Sequence, residues 1–104
     1  MTRQSIISLI SQTMKQTAPS AQTILYGSQA RGDFHHDSDI DLLILVDGNT
    51  LSVKDEENII APLYDIELKS GVSISPRVML KKHWYNRPFD TPFYLNVTRD
   101  GIIL

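Results

Sequence analysis

Apolar residues fall at helical spacing near the start of the chain, where Ile6, Ile7, Leu9, Ile10 and Met14 recur between Ser5 and Gln16 and Pro19 follows as a stop. This pattern predicts an amphipathic helix that covers a sheet. Thr23 to Tyr26 is a short β-prone run ended by Gly27. At Ser28 to Arg31 a helical turn is expected to begin straight off that strand, with unpaired leading amides of the kind that favour an anion. Gly32 to Ser38 is polar and aromatic, and reads as a loop with His35 and His36 at its tip. Ile40 to Val46 is almost continuously apolar, as expected of a central strand buried on both faces, and Asp47-Gly48-Asn49 ends it as a turn.

Leu51 to Ser70 carries two apolar rows, Ile59, Leu63, Ile66 and Ile60, Tyr64, with Asp55, Asn58, Asp65 and Lys69 on a polar row. The stretch reads mainly as helix, with Pro62 arguing against an unbroken one. A competing period of two over Tyr64 to Leu68 would instead make a strand with Asp65 and Glu67 on one face. Val72 to Leu80 is the third expected strand, and Pro76 within it implies a sheet edge or a bulge. A short helix is expected from Thr91 to Asp100, stopped by Gly101.

A chain of 104 residues fits a single domain, residues 1–104, with no room for a separate substrate domain. Its 41% hydrophobic and 21% charged residues are ordinary for a globular fold. A net charge of −2 leaves no surplus to hold nucleic acid through counterion release, so direct nucleic-acid binding is disfavoured. The absence of cysteine excludes disulfides and zinc-thiolate sites and agrees with a cytoplasmic location. The first residues do not form a signal peptide, and no apolar run reaches the roughly 18 residues of a membrane span.

The chemistry concentrates between Leu25 and Val46. On a strand, Asp39 and Asp41 point to the same face with Cα atoms roughly 6.5 to 7 Å apart. Two carboxylates at about 4 Å repel by up to roughly 4 kcal/mol at an effective dielectric of 20. Such a pair on an apolar strand therefore calls for a cation, and oxygen ligands suit Mg²⁺ completed by water and phosphate. The Gly27-Ser28 turn supplies the complement: Gly27 lets a phosphate approach the backbone, and the Ser28 hydroxyl and nearby amides donate to it. A triphosphate clamp of this kind makes nucleotidyl transfer the natural reaction class.

Gly27-Ser28-Gln29-Ala30-Arg31-Gly32 followed by Ser38-Asp39-Ile40-Asp41-Leu42 resembles the signature of the minimal nucleotidyltransferases of the DNA polymerase β superfamily. The resemblance implies an α/β (α+β) fold with a small mixed or antiparallel sheet backed by helices. It also implies an NTP, usually ATP, bound with Mg²⁺ at Gly27, Ser28, Asp39 and Asp41. Family members this short typically act with a helical HEPN-type partner as toxin–antitoxin pairs, in some cases adding AMP to a tyrosine of the toxin. By this analogy, AMP passes from ATP to a hydroxyl of a protein partner. The alternative is a catalytically weak or inactive nucleotide-binding antitoxin that masks its partner by contact. Transfer to small molecules is weakened by the lack of a second domain, and extension of a nucleic-acid end by the lack of a basic groove.

One departure from the family pattern bears on this choice. A third carboxylate is expected on a later strand, yet Val72-Ser73-Ile74-Ser75-Pro76-Arg77-Val78-Met79 contains no acid. Asp65 or Glu67 would fill the place only if the competing strand were formed. Arg31 fits either a phosphate contact or a pairing with Asp33 or Asp37. Ser38 is expected to cap its turn, and His35 and His36 to be exposed rather than catalytic. His83, Trp84 and Tyr85 are read as a tail packing aromatics onto the sheet rather than as a base-stacking platform. Phe89, Phe93 and Tyr94 fit either the core or a docking surface.

Overall fold

The computed structural model describes residues 1–104. Helix α1 (Arg3–Thr17) opens on Thr2, whose side chain accepts from the Ser5 amide at 3.0 Å, and buries Ile6, Ile7, Ile10 and Met14. Strand β1 (Gln22–Tyr26), the one-turn helix α2 (Gly27–Arg31) and strand β2 (Ile40–Val46) follow. Helix α3 (Val53–Ser70) leads to β3 (Ile74–Leu80), and short helices α4 (Lys81–Tyr85) and α5 (Pro92–Asp100) precede the two-residue strand β4 (Ile102–Ile103). No helix is long and apolar enough to cross a membrane.

The sheet runs β3-β2-β1-β4, with β1 antiparallel to both β2 and β4 and β3 parallel to β2. The mixed sheet agrees with the expected fold class. Strand β2 is central, and its alternating side chains divide the core between the two faces. Ile40, Leu42 and Ile44 join the α1 and α3 residues Ile6, Ile10, Leu63 and Ile66. Leu43 and Leu45 pack on the opposite face with Ile24, Trp84 and Val97. Full burial of both sets explains why this strand shows no polar alternation.

Pro62 does not interrupt α3, contrary to the expectation of a broken helix. The helix is held at its ends instead, by a reciprocal capping box between Ser52 and Asp55 and by Gly71 in the left-handed conformation. Burial of Leu63 and Ile66, which follow the proline and pack into one core, offsets the hydrogen bond a proline removes. The period-two alternative at Tyr64 to Leu68 is thereby excluded. Pro76 lies on the edge strand β3, where a missing amide costs least.

Two elements go beyond the sequence expectations. α4 is a single turn that buries Trp84, and β4 pairs Ile103 with Ile24 and Ile102 with Leu25. The aromatic tail packs on the sheet as expected: Trp84 meets Phe93 and Tyr94 at centroid distances of 5.9 and 4.9 Å, and Phe93 meets Tyr26 edge-on at 5.4 Å. Phe93 and Tyr94 thus join the core margin while Phe89 stays exposed.

Candidate functional site

Strand β1 ends at Tyr26, and α2 starts on the next residue with no side chain capping its leading amides. Gly27 makes this turn at φ +74°, a conformation side-chain-bearing residues rarely adopt. Antiparallel pairing then places Asp41 of β2 directly opposite Tyr26. A Cβ built at Gly27 would collide with Oδ2 of Asp41. Gly27 is therefore required twice, by its backbone angle and by the carboxylate in the space beside it.

Asp39 stands one residue before β2, close enough for its charge to act on Asp41. Asp39 is exposed and Asp41 half-buried. Burial and the neighbouring Asp39 charge both raise the Asp41 pKa, and Arg31 opposes them. A carboxylate raised in this way favours a proton or a cation beside it. Together with Asp39 it offers only oxygen donors, a set that fits Mg²⁺. No group of three or more metal-binding side chains comes together anywhere in the fold, so a metal here would rely on water and substrate for its remaining ligands.

Arg31 pairs with Asp33 at 3.2 Å and with Asp100 of α5 at 3.6 Å. It thus takes up one of its two expected loop partners, Asp33, and still influences Asp41. Ser38 caps its turn, accepting from the His35 amide at 2.8 Å, and both His35 and His36 are exposed.

Neither proposed third carboxylate reaches the pair. Asp65 and Glu67 lie on α3, which packs against the other face of the sheet. Glu67 accepts from the Ile74 amide at 2.8 Å, anchoring the start of β3. On β3 the residue opposite Asp41 is Ser75. Two positions further on the same face stands Arg77, its guanidinium 4.2 Å from the centroid of Phe93. Tyr26 registers both charges: burial raises its pKa most, Asp41 raises it further and Arg77 lowers it. Arg77 and Tyr26 were not among the sequence candidates, because only strand register sets Tyr26 opposite Asp41 and brings the Arg77 charge to Tyr26. Beyond Arg77 the face continues into a cavity of about 260 Å³ lined by Trp84, Arg87, Phe93 and Tyr94 among others.

Comparison with known proteins shows the family and the fold. The model of a family described as "Nucleotidyltransferase domain" matches residues 7–93. Two proteins of Methanocaldococcus jannaschii, each named "Putative protein adenylyltransferase", are 35% identical over 81 residues, which cover 78% of this chain and 75% and 74% of theirs. Among solved structures, a toxin–antitoxin with AMP-PNP superposes with a TM-score of 0.63 at 20% identity, over 92% of this chain and 69% of that one. An MntA–HpeT toxin–antitoxin carrying two aspartate-to-glutamate substitutions gives 0.62 at 18% identity, with the same coverage. At these identities the structural likeness speaks for the fold.

Proposed function

The chain belongs to the nucleotidyltransferase domain family, and from that premise we propose that it transfers AMP from ATP to a hydroxyl of a protein partner, a helical HEPN-type toxin. The observation that carries the reading is the contact geometry at Gly27, where the phosphate-binding turn and the Asp41 carboxylate meet with no room for a side chain between them. In this reading Gly27 and Ser28 hold the triphosphate, Asp39 and Asp41 hold Mg²⁺, and Arg31 offsets phosphate charge from the loop side. Mg²⁺ would supply positive charge to the phosphate oxygens on which negative charge builds.

The acceptor oxygen forms a bond to the α-phosphorus, the bond to the β-phosphate oxygen breaks, and pyrophosphate leaves. The hydroxyl proton passes to solvent water, since Ser75 and Arg77 on β3 offer no carboxylate to take it. The protein-adenylyltransferase name of the curated relatives supports the donor and the acceptor class. The toxin–antitoxin neighbours support a toxin as partner.

The absence of an acid on β3 favours a second reading, in which the domain binds nucleotide but neutralises its partner by masking alone. Intact mass spectrometry separates the two. Incubated with ATP and Mg²⁺, the partner toxin becomes heavier by one adenylyl group if transfer occurs, and an unchanged mass in a stable complex establishes masking.

A further inference from the structure

Arg3 occupies the first turn of α1, a place where the helix dipole disfavours a cation and where this helix carries no acidic residue. Its guanidinium is engaged elsewhere. Nη1 donates to Oε1 of Gln29 at 3.1 Å, while Nη2 donates to the carbonyls of His36 at 2.8 Å and Ser38 at 2.6 Å. The guanidinium carbon also lies 5.1 Å from the centroid of Phe34. Gln29 follows Ser28 in α2, and Ser38 precedes Asp39. One side chain therefore ties the phosphate turn to the loop that delivers the first carboxylate.

That loop has little else to hold it. Within Gly32 to Ser38 the local ties are the His35 and Ser38 bonds, the Gly32 amide on the Ser28 carbonyl at 2.9 Å and the contact of Asp33 with Arg31, and past its end the Ile40 amide donates to the Ser73 carbonyl at 2.9 Å. The only hydrogen bonds that reach the segment from a distant part of the chain come from Arg3. We propose that Arg3 is the positioning residue that fixes Asp39 relative to the Gly27-Ser28 turn. A planar fork with several donors suits this task, because one rigid group meets acceptors on two elements at once. Lysine carries the charge but lacks the fork.

The role rests on the nucleotide reading above, and its test distinguishes the two. Hydrogen exchange is followed at residues 33–39 and at Leu42 to Leu45 in the wild type, Arg3→Met and Arg3→Lys, and ATP affinity is measured by calorimetry with Mg²⁺ and with EDTA. In Arg3→Met, exchange at 33–39 should rise about tenfold or more while Leu42 to Leu45 keep their protection. ATP affinity with Mg²⁺ should fall about tenfold, affinity in EDTA should hardly change, and Arg3→Lys should lie between. A merely structural role would lower both affinities together and expose β2 as well. Unchanged exchange at 33–39 in Arg3→Met overturns the clamp, and faster exchange with unchanged Mg²⁺-dependent affinity overturns its positioning role. A wild type that binds no ATP overturns the nucleotide reading and the positioning role with it, leaving the exchange result to decide only whether Arg3 holds the loop.

Discussion

Asp41 shows at the scale of one residue how the site opposes the stability of its own fold. Its pKa is raised in the folded state, so its contribution is favourable below the ordinary carboxylate range and is lost as pH rises through the folded value. At neutral pH the ionised side chain strains the ligand-free protein. Asp41→Asn should therefore raise the thermal midpoint at pH 7 by up to a few degrees, with the gain vanishing in acid. The same variant should lose at least a hundredfold in adenylyl transfer. Calorimetric scans across pH, set beside a transfer assay, check both halves. Asp100 has the opposite sign, its pKa lowered first by the Arg99 hydrogen bond, and its contribution is lost as pH falls through the folded value. On the proposed reading Asp41 holds Mg²⁺ in its ionised form, so nucleotide affinity with Mg²⁺ should begin to fall at a higher pH than an ordinary aspartate would give, and titration calorimetry from about pH 8 downward would show it. Gly27→Ala joins a left-handed backbone penalty of about 1–2 kcal/mol to a collision with Asp41. Denaturant unfolding should register the loss of stability, and ATP should no longer protect the variant against heat.

Among the elements, legibility followed the reach of the interactions that decide them. The helical spacing of Ile6, Ile10 and Met14 and the apolar run of β2 are local signals, and both elements stand where they were expected. The Gly-Ser turn and the Asp-x-Asp pair could also be picked out from the sequence, because each pattern spans only a few residues, and the structure brings Gly27 and Asp41 into contact. What escaped depends on partners distant in sequence. β4 exists only by pairing with β1, Arg77 gains its place from the parallel register of β3 on β2, and Pro62 is tolerated because packing against the core outweighs a local preference. Gly101 was read as a helix stop, and it does end α5. Its φ of −64° is one any residue adopts, yet an added Cβ would collide with the Val97 carbonyl and come within 2.9 Å of Ile24 Cγ2. The glycine thus serves close approach between helix end and sheet. Gly101→Ala should cost about 1–3 kcal/mol, the usual range for overpacking. Amide exchange should place the damage at β4 and at the Leu104 amide, which donates to the Thr23 carbonyl at 2.9 Å.

For the molecule as a whole, the sheet separates two tasks. One face meets α1 and α3 in the larger core, while the other carries Asp39 and Asp41 at its open end and a smaller aromatic core beneath α4 and α5. The separation predicts that the smaller core supports the site more than it supports global folding. Trp84→Ala removes a side chain only 6% exposed, and a loss of about 3–5 kcal/mol is the usual cost of such a truncation. A smaller loss in denaturant unfolding, accompanied by a large loss of transfer, would show the two cores to be energetically distinct.

The antiparallel β1–β2 pair has a further consequence when viewed as folding topology. Gly27, Ser28, Asp39 and Asp41 all fall within a single hairpin-like segment, so the loop closure that assembles them is short and entropically cheap. The geometry of these four residues has low contact order even though the sheet around it does not. On the proposed reading, such a segment would carry its chemistry into a larger chain only where that chain buried both faces of β2, as α1, α3 and the Trp84 core do here, and kept an arginine where Arg3 stands.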